Sequence, residues 1–504
     1  MISDILREAR KHEEIAGQLI PASDRPSFHL SARVGWMNDP NGFSYYRGKY
    51  HLFYQYYPFE AKWNSMHWGH AVSEDLLHWQ YLPAALAPDT LVDKDGCFSG
   101  SAVELPDGRQ LLMYTGVVEG PRQPDGTRTE IQTQCLAVGD GVDYEKCPDN
   151  PVLTDADLPE GSSKFDFRDP KVWRESDGTY RCVVGSRPAD GSGQILLYSS
   201  VDGFHWTFES VLAENKNRFG LMWECPDFCE LDGKWVLLTS PQDMLPSGFE
   251  YHNGNGTLCL IGEFDKEAKR FIEERDQAID YGIDFYAPQT VLAPDGRRIM
   301  IGWMQNWDTL SIASLKAPWF GQMTVPRELS VKNGRLCQWP IRELDALRSG
   351  HVSYKNVEFE GELTLEGIKG RKVDVTITLR PGDEEHLYRK FAVWFCQNDT
   401  YHTAISFRPN ESILKIDRKF SGSRRAIIHQ RRCEVPQGQG HITFRMILDR
   451  FSVEVFVNDG EQTMTATMYT DQAADGFKFF ATGKISMDIE KYDLDLEGTN
   501  ETQK

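Results

Sequence analysis

The sequence lacks the features that mark membrane proteins, nucleic-acid-binding proteins and disulfide-rich proteins. No apolar run approaches the roughly 18 residues of a membrane-spanning helix, so no membrane partner is expected. The formal net charge is −20, with 55 Lys and Arg against 75 Asp and Glu. Nucleic acid is therefore excluded as an expected partner, because its binding needs clustered positive charge. None of the ten cysteines falls in a CxxC pair.

The first twenty residues are charged throughout and do not contain the apolar core of a signal peptide. We therefore expect a cytoplasmic protein whose cysteines, many of them in or beside apolar strand-like runs, stay reduced. The charged segment is typical of an amphipathic helix. Residues 1–27 are predicted to form this short N-terminal helix and a linker.

One spacing recurs five times between residues 39 and 296. A polar motif lies nine residues ahead of a turn glycine, and an apolar run follows the glycine. Each unit is typical of a β-hairpin, and the glycines recur about every 60 residues, which fits four strands plus loops. The pattern predicts an all-β fold with a five-bladed β-propeller over residues 28–344. The five pairs are Asp39 and Gly48, Ser99 and Gly108, Asp169 and Gly178, Glu224 and Gly233, and Ala287 and Gly296.

The pattern changes after residue 344. The run PIRELDALRSG has helical periodicity and ends at Gly350, a usual helix C-cap residue, so residues 345–352 are predicted to be a linker. Many short segments with period-two alternation follow, separated by turn signals. They predict a β-sandwich over residues 353–504.

Three of the five repeat starts carry a carboxylate, namely Asp39, Asp169 and Glu224. In a radial fold these starts converge on one axis. Asp169 follows Arg168, a ready partner for a buried acid. Glu224 lies between a tryptophan and a cysteine, an apolar setting that favours the protonated acid needed for proton donation. Two carboxylates of unequal acidity facing one pocket are the usual equipment for glycoside hydrolysis.

Other side chains near these motifs are candidates for sugar contacts. Aromatic residues can shape a sugar site, and amide, hydroxyl and guanidinium groups can bind hydroxyls. An HxxH pair, His67 and His70, has zinc-like spacing, but no third ligand stands out and a structural role is favoured. The candidate substrate contacts are Trp36, Asn38, Gln55, Trp63, Phe98, Ser99, Arg168, Tyr286 and Trp303.

Seven motifs resemble the signature blocks of glycoside hydrolase family 32, and FSVEVFVNDGE (451–461) resembles its C-terminal sandwich. That family contains invertases, sucrose-6-phosphate hydrolases and fructan hydrolases. The resemblance implies retaining hydrolysis of a terminal β-D-fructofuranoside, with no metal or organic cofactor. The motifs are WMNDPNG (36–42), FYQY (53–56), FSGS (98–101), FRDP (167–170), ECPD (224–227), YAPQ (286–289) and GWM (302–304).

The resemblance also implies distinct roles for the three acids, which their spacing alone does not distinguish. By the match of WMNDPNG, Asp39 is the nucleophile that forms a covalent fructosyl-enzyme. By the match of ECPD, Glu224 is the general acid/base. By the match of FRDP, Asp169 binds fructose hydroxyls and stabilises the oxocarbenium-like transition state.

Several alternatives stay open at the level of sequence. A sucrose-6-phosphate hydrolase needs cationic groups near the glucose 6-position, and Lys62, Arg122, Lys216 and Arg218 lie in predicted loops. A fructosyltransferase would use the same covalent intermediate. A non-catalytic fructan-binding protein would be expected to lack at least one of the three acids. Chain-length preference and oligomeric state are not predicted.

Overall fold

The computed structural model describes residues 2–496. The exceptions within this range are residues 123, 125, 127, 189, 190, 315, 316, 384, 385, 423–427 and 437, and the side chains of residues 311–314. Among the described residues, no helix is both long enough and apolar enough to span a membrane. All ten cysteines have free thiols, as predicted.

The predicted N-terminal helix is present as α1 (Asp4–Gln18). The Ser3 side chain caps it by accepting a hydrogen bond from the Leu6 backbone N–H at 3.1 Å. The Glu13 carboxylate accepts a bond from the Ala84 N–H at 2.8 Å, so the helix packs against the outer strand of the first blade. A 3-10 turn, Ala22–Asp24, follows.

Five antiparallel sheets form the propeller, which confirms the predicted fold class. The first strands of the sheets contact one another in a closed ring, so each blade presents its first strand to the axis. The blades are β1 (Gly35–Tyr46), β2 (Lys49–Tyr57), β3 (His67–Ser73) and β4 (Gln80–Leu86); β5 (Gly96–Glu104), β6 (Gln110–Arg122), β7 (Arg128–Gly139) and β8 (Tyr144–Lys146); β9 (Ser162–Arg174), β10 (Tyr180–Pro188), β11 (Gln194–Ser200) and β12 (Thr207–Glu214); β13 (Trp223–Leu231), β14 (Lys234–Pro241), β15 (Leu258–Asp265) and β16 (Arg270–Gln277); and β17 (Tyr286–Leu292), β18 (Arg298–Trp303), β20 (Arg327–Lys332) and β21 (Arg335–Pro340).

The short strand β19 (Trp319–Phe320) joins the last blade to the first. It pairs in parallel with the start of β1, where Gly35 lies opposite Trp319 and Trp36 opposite Phe320. This pairing ties the two ends of the propeller together next to the axis. Two further 3-10 segments, Asp155–Asp157 and Trp307–Ser314, lie in connections between strands.

The five turn glycines lie in the hairpins that the spacing predicts. Their φ angles fall between 79° and 93°, a left-handed conformation that residues with a Cβ adopt only with strain. This backbone requirement explains why glycine recurs at the same offset in every blade.

The C-terminal domain is built around one long strand, β31 (Gly476–Leu494). Its first half pairs with β24, its second half pairs with β23, and β22 pairs along its other edge. β31 therefore belongs to both halves of the predicted sandwich. The remaining strands are β22 (Arg348–Leu363), β23 (Val373–Pro381), β24 (Lys390–Gln397), β25 (His402–Arg408), β26 (Ile413–Phe420), β27 (Gln430–Glu434), β28 (Ile442–Asp449), β29 (Ser452–Val457) and β30 (Gln462–Thr467).

The segment predicted as a linker, residues 345–352, has a different structure. A 3-10 helix, Arg342–Leu347, ends before Gly350, and β22 begins at Arg348. Gly350 is therefore not a helix cap. The helix ends here because of a tertiary contact. Arg348 pairs with Leu494 at the end of β31, so the chain continues as a strand. We propose that the boundary between the two domains lies at this junction.

A buried network of charges joins the propeller to the sandwich. Arg327 of β20 donates to Glu454 of β29 at 3.0 and 2.6 Å and to Asp280 at 3.0 Å. His29 lies between Asp449 at 2.9 Å and Glu454 at 3.0 Å. Burial opposes the positive charge of this imidazole, yet the two carboxylates raise the pKa of His29 to about 9. Inside the domain interface, the positive charges of Arg327 and His29 are thus balanced by neighbouring carboxylates.

We expect Arg327→Met to lower the melting temperature far more than Arg342→Met does. Removing Arg327 leaves Asp280 and Glu454 buried without their shared cation, which costs about 3–5 kcal/mol. Arg342 makes a comparable bond to Glu328 at 2.9 Å but is exposed, so solvent screens the pair. Thermal unfolding followed by circular dichroism checks this. Equal shifts for the two variants would contradict the anchoring role of Arg327.

Candidate active site

A cavity of about 760 Å³ opens at the axial end where the first strands begin. Nine of the predicted site residues line it together, and they come from blades 1 to 4. Trp307, which the sequence did not indicate, lines it from the connection between β18 and β20 of blade 5. The nine predicted residues are Asn38, Asp39, Gln55, Trp63, Phe98, Ser99, Arg168, Asp169 and Glu224.

The other three predicted residues lie behind the cavity wall. Trp36 and Trp303 are buried and pack against Trp307, with ring centroids 6.3 and 5.0 Å away. The Trp36 indole N–H donates to Asn38 Oδ1 at 2.7 Å. Tyr286 is also buried, and its hydroxyl bonds Glu224, which lines the cavity. These aromatic residues therefore support the residues that face the cavity.

Every first strand is irregular at its site residue. The ladder to the second strand shifts register between Met37 and Pro40, between Phe98 and Gly100, between Arg168 and Lys171, between Glu224 and Asp227, and between Tyr286 and Gln289. Such bulges re-aim side chains that regular alternation would place elsewhere. Three non-glycine residues at these points, Asp169, Cys225 and Ala287, have φ angles of 66°, 50° and 48°. Local backbone strain of this kind clusters at functional sites.

The Asp39 carboxylate is buried and held at both oxygens. Its Oδ2 accepts a hydrogen bond from the Ser99 hydroxyl at 2.8 Å, and its Oδ1 accepts one from the Asn38 amide at 3.1 Å. Burial raises the pKa of Asp39 to about 6, and the negative charge of Glu224 contributes to the rise. The hydrogen bonds from Asn38 and Ser99 oppose that rise.

The Asp169 carboxylate lies close to Asp39. Its Oδ2 accepts a bond from the Cys225 backbone N–H at 2.9 Å, and its own N–H donates to the Thr115 hydroxyl at 3.0 Å. The Cys225 sulfur lies 3.5 Å from Asp39 Oδ2 and 3.7 Å from Asp169 Oδ2, so one thiol contacts both acids. Burial raises the pKa of Asp169 to about 7, with Glu224 and Asp39 adding to the rise and Arg168 opposing it.

The Glu224 carboxylate has polar partners, in contrast to the apolar setting expected from its sequence neighbours. Its Oε1 accepts bonds from Arg168 at 2.9 and 3.1 Å, and its Oε2 accepts one from the Tyr286 hydroxyl at 2.8 Å. Trp223 points elsewhere and donates to the Phe219 carbonyl. Neighbours in sequence do not surround a strand side chain, because successive side chains leave a strand on opposite faces.

Arg168 also pairs differently from the sequence prediction. It was expected to partner Asp169, yet its guanidinium bonds Glu224 and lies 3.4 Å from Asp166. The positive φ of Asp169 turns the two adjacent side chains apart. Gln132 supports the arrangement, since its Oε1 accepts from both the Phe167 N–H at 3.0 Å and Arg168 at 3.3 Å.

The sequence did not indicate Thr115, Gln132, Asp166 or Trp307 as part of the site. Thr115 and Gln132 lie within ordinary strand runs of blade 2, where nothing local marks them. Cys225 was visible inside the ECPD motif, but only the structure brings its thiol to both acids.

The HxxH pair has separate structural contacts. His70 Nε2 lies 3.0 Å from His51 Nδ1, and its ring stacks on Phe53 at 4.0 Å. His67 Nδ1 contacts the Ser65 carbonyl oxygen at 2.9 Å. Across the described residues, no group of three or more His, Cys, Asp and Glu side chains is arranged to hold a metal ion.

Comparisons with known proteins cover nearly the whole chain. A raffinose invertase of Escherichia coli is 40% identical over 451 residues, which span 88% of this chain and 89% of that protein. A sucrose-6-phosphate hydrolase of Escherichia coli is 38% identical over 471 residues, or 92% of this chain and 93% of that protein. A solved GH32 β-fructofuranosidase of Bombyx mori is 35% identical, with a TM-score of 0.81 over 97% of this chain and 98% of that one.

Two family models match successive parts of the chain. The model "Glycosyl hydrolases family 32 N-terminal domain" matches residues 29–340. The model "Glycosyl hydrolases family 32 C terminal" matches residues 343–495. These matches account for both the propeller and the sandwich, and they agree with the family resemblance of the seven motifs. The chain belongs to glycosyl hydrolase family 32.

Proposed function

We propose that this protein is a retaining β-fructofuranosidase that releases terminal β-D-fructofuranosyl groups from sucrose and short fructo-oligosaccharides. The observation that carries the proposal is the convergence of Asp39, Asp169 and Glu224, each from a different blade, on one cavity. The Bombyx mori relative has also been solved, as a mutant, in complex with sucrose. A non-catalytic binding protein would have no need to gather three acids in one cavity.

In this proposal Asp39 is the nucleophile. Its ionised carboxylate attacks the anomeric carbon of fructose and forms a covalent ester as the glycosidic bond breaks. Ser99 and Asn38 hold its two oxygens and so fix the direction of attack. Asp169 lies beside it, within reach of the same thiol, where a carboxylate can bind fructose hydroxyls and stabilise developing positive charge.

Glu224 is the general acid/base. It gives its proton to the leaving oxygen in the first step and takes one from water in the second, when that water cleaves the ester. Arg168 and Tyr286 donate hydrogen bonds to its two oxygens. These donors stabilise the carboxylate that exists between the two steps.

We expect Asp39→Asn and Glu224→Gln each to lower kcat for sucrose by several orders of magnitude. The first change removes the nucleophile and the second removes the proton carrier. Glu230→Gln is a matched control, because Glu230 is exposed on the same strand β13, and it is expected to keep full activity. Fructose release with sucrose, inulin and levan checks the proposal. No fructose from any of them with the unmodified protein would refute the function.

The pH dependence of kcat/KM tests the state of Asp39 in the free enzyme. Asp39 reacts only when ionised, and its pKa is raised to about 6. The acid limb is therefore expected near pH 6, with activity falling as pH drops below that value. An acid limb near pH 4, typical of an exposed aspartate, would contradict the burial argument.

Burial of the ionised Asp39 carboxylate also lowers the stability of the folded state. A pKa raised from 3.8 to about 6 means that ionised Asp39 destabilises the fold on the order of 3 kcal/mol above pH 6, and that this cost vanishes as pH falls towards 4. Asp39→Asn is thus expected to melt at a higher temperature than the unmodified protein at pH 8. The difference is expected to shrink at pH 5. A lower melting temperature for Asp39→Asn at both pH values would contradict this prediction.

A further inference from the structure

We propose that the outer part of the cavity selects a neutral leaving sugar and rejects a phosphorylated one, and that Asp166 is the main specificity-determining residue. This inference rests on the proposed function, because it concerns the group that departs from fructose. It resolves the choice between sucrose and sucrose-6-phosphate, which differ at the glucose 6-position.

The first observation is that carboxylates outnumber arginines among the described residues that line the cavity. Three arginines, Arg128, Arg168 and Arg187, line the cavity. Six carboxylates line it as well: Asp39, Glu130, Asp166, Asp169, Glu224 and Asp243. Three of those acids serve the fructose end, and the other three lie outside the proposed catalytic group. A phosphate monoester carries about two negative charges at pH 7, and even with Glu224 protonated as the general acid it would meet more carboxylates than arginines in this cavity.

The second observation is that each of the three arginines already faces a carboxylate. Arg168 bonds Glu224 at 2.9 Å. Arg187 lies 3.6 Å from Asp166 Oδ2, and Arg168 lies 3.4 Å from Asp166 Oδ1. Asp166 is itself held by the Ser163 hydroxyl at 2.8 Å. One carboxylate therefore lies between two guanidinium groups and engages both of them.

Arg128 is the remaining cation of the lining, and it is exposed. Its Nε lies 3.7 Å from Glu119. The cations considered from the sequence do not line the cavity: Lys62 pairs with Glu60, and Arg218 pairs with Glu273. Among the described lining residues, a phosphate would compete with a carboxylate for Arg168 and Arg187, and would find only the exposed, solvent-screened Arg128 more weakly paired.

A neutral sugar is not repelled by the carboxylates and does not need a free arginine. Its hydroxyls can donate to Glu130, Asp166 and Asp243, since carboxylates accept hydrogen bonds strongly. Exposed aromatic surface is also available, because Trp63 is 44% exposed at the rim, edge-on to Phe98 at 6.0 Å. The cavity thus attracts hydroxyls and repels anions, and repulsion of the wrong substrate is a common source of specificity.

The test compares kcat/KM for sucrose and for sucrose-6-phosphate. We expect the unmodified protein to prefer sucrose by at least about tenfold. Asp166→Asn frees Arg187 and removes one negative charge, so the preference is expected to fall at least about threefold. Because Asp166 also contacts Arg168, this variant is expected to lose activity on both substrates, and the ratio is the informative quantity.

Asp243→Asn provides a second variant that does not touch Arg168, and it is expected to shift the ratio in the same direction. Asp107→Asn, at the exposed turn of blade 2 outside the cavity lining, is the control and is expected to leave the ratio unchanged. Raising the salt concentration is also expected to reduce the preference, because salt screens exposed charges.

Equal or faster hydrolysis of sucrose-6-phosphate by the unmodified protein would overturn this inference while leaving the proposed function intact. A preference for sucrose that neither variant nor salt changes would overturn the electrostatic cause. Absence of fructose from both sugars would instead refute the proposed function.

Discussion

The structure depends on holding three carboxylates of like charge together in one cavity, with Asp39 and Asp169 buried and Glu224 half-buried. Asp39, Asp169 and Glu224 repel one another, and burial raises the pKa of the two aspartates to about 6 and 7. No single blade could position all three. Five first strands that meet on one axis supply the geometry, and a bulge in each strand directs a side chain or backbone group towards it. Arg168, bonded to Glu224, is the positive charge that limits the repulsion.

Such a site needs a rigid scaffold. Two features provide it: the closure of the propeller ring and the contact between the propeller and the sandwich. Strand β19 joins the last blade to the first beside Trp36, whose indole in turn holds Asn38. The sandwich then fixes the propeller from outside through Arg327, Asp280 and Glu454. Contacts therefore run without a break from the ring closure at β19 through Trp36 and Asn38 to Asp39, and they limit how far the acids can move apart.

Much of this was predictable from the sequence because turns leave a local signature. A glycine with positive φ nine residues after each site motif identifies a hairpin, and five of them identify the propeller. The partners of the side chains were not predictable. Arg168 bonds Glu224 from the next blade instead of Asp169 beside it, since adjacent side chains of a strand point in different directions. Gly350 is not a helix cap, because Ser349 and Val352 on either side of it pair with β31, more than 100 residues away, and Gly350 lies in the bulge between them.

The identity of the leaving sugar depends on fewer residues than the fold does. The chain is 40% identical to a raffinose invertase and 38% identical to a sucrose-6-phosphate hydrolase, so overall similarity does not distinguish the two activities. In the proposed mechanism the three acids cannot distinguish them either, because they act on fructose, which both substrates share. In the proposed selection, the distinction comes from charges of the cavity lining, where Asp166 pairs with Arg187 and keeps it from an anion. A single carboxylate at that position can separate two substrate classes without any change in the propeller, its bulges or its catalytic residues.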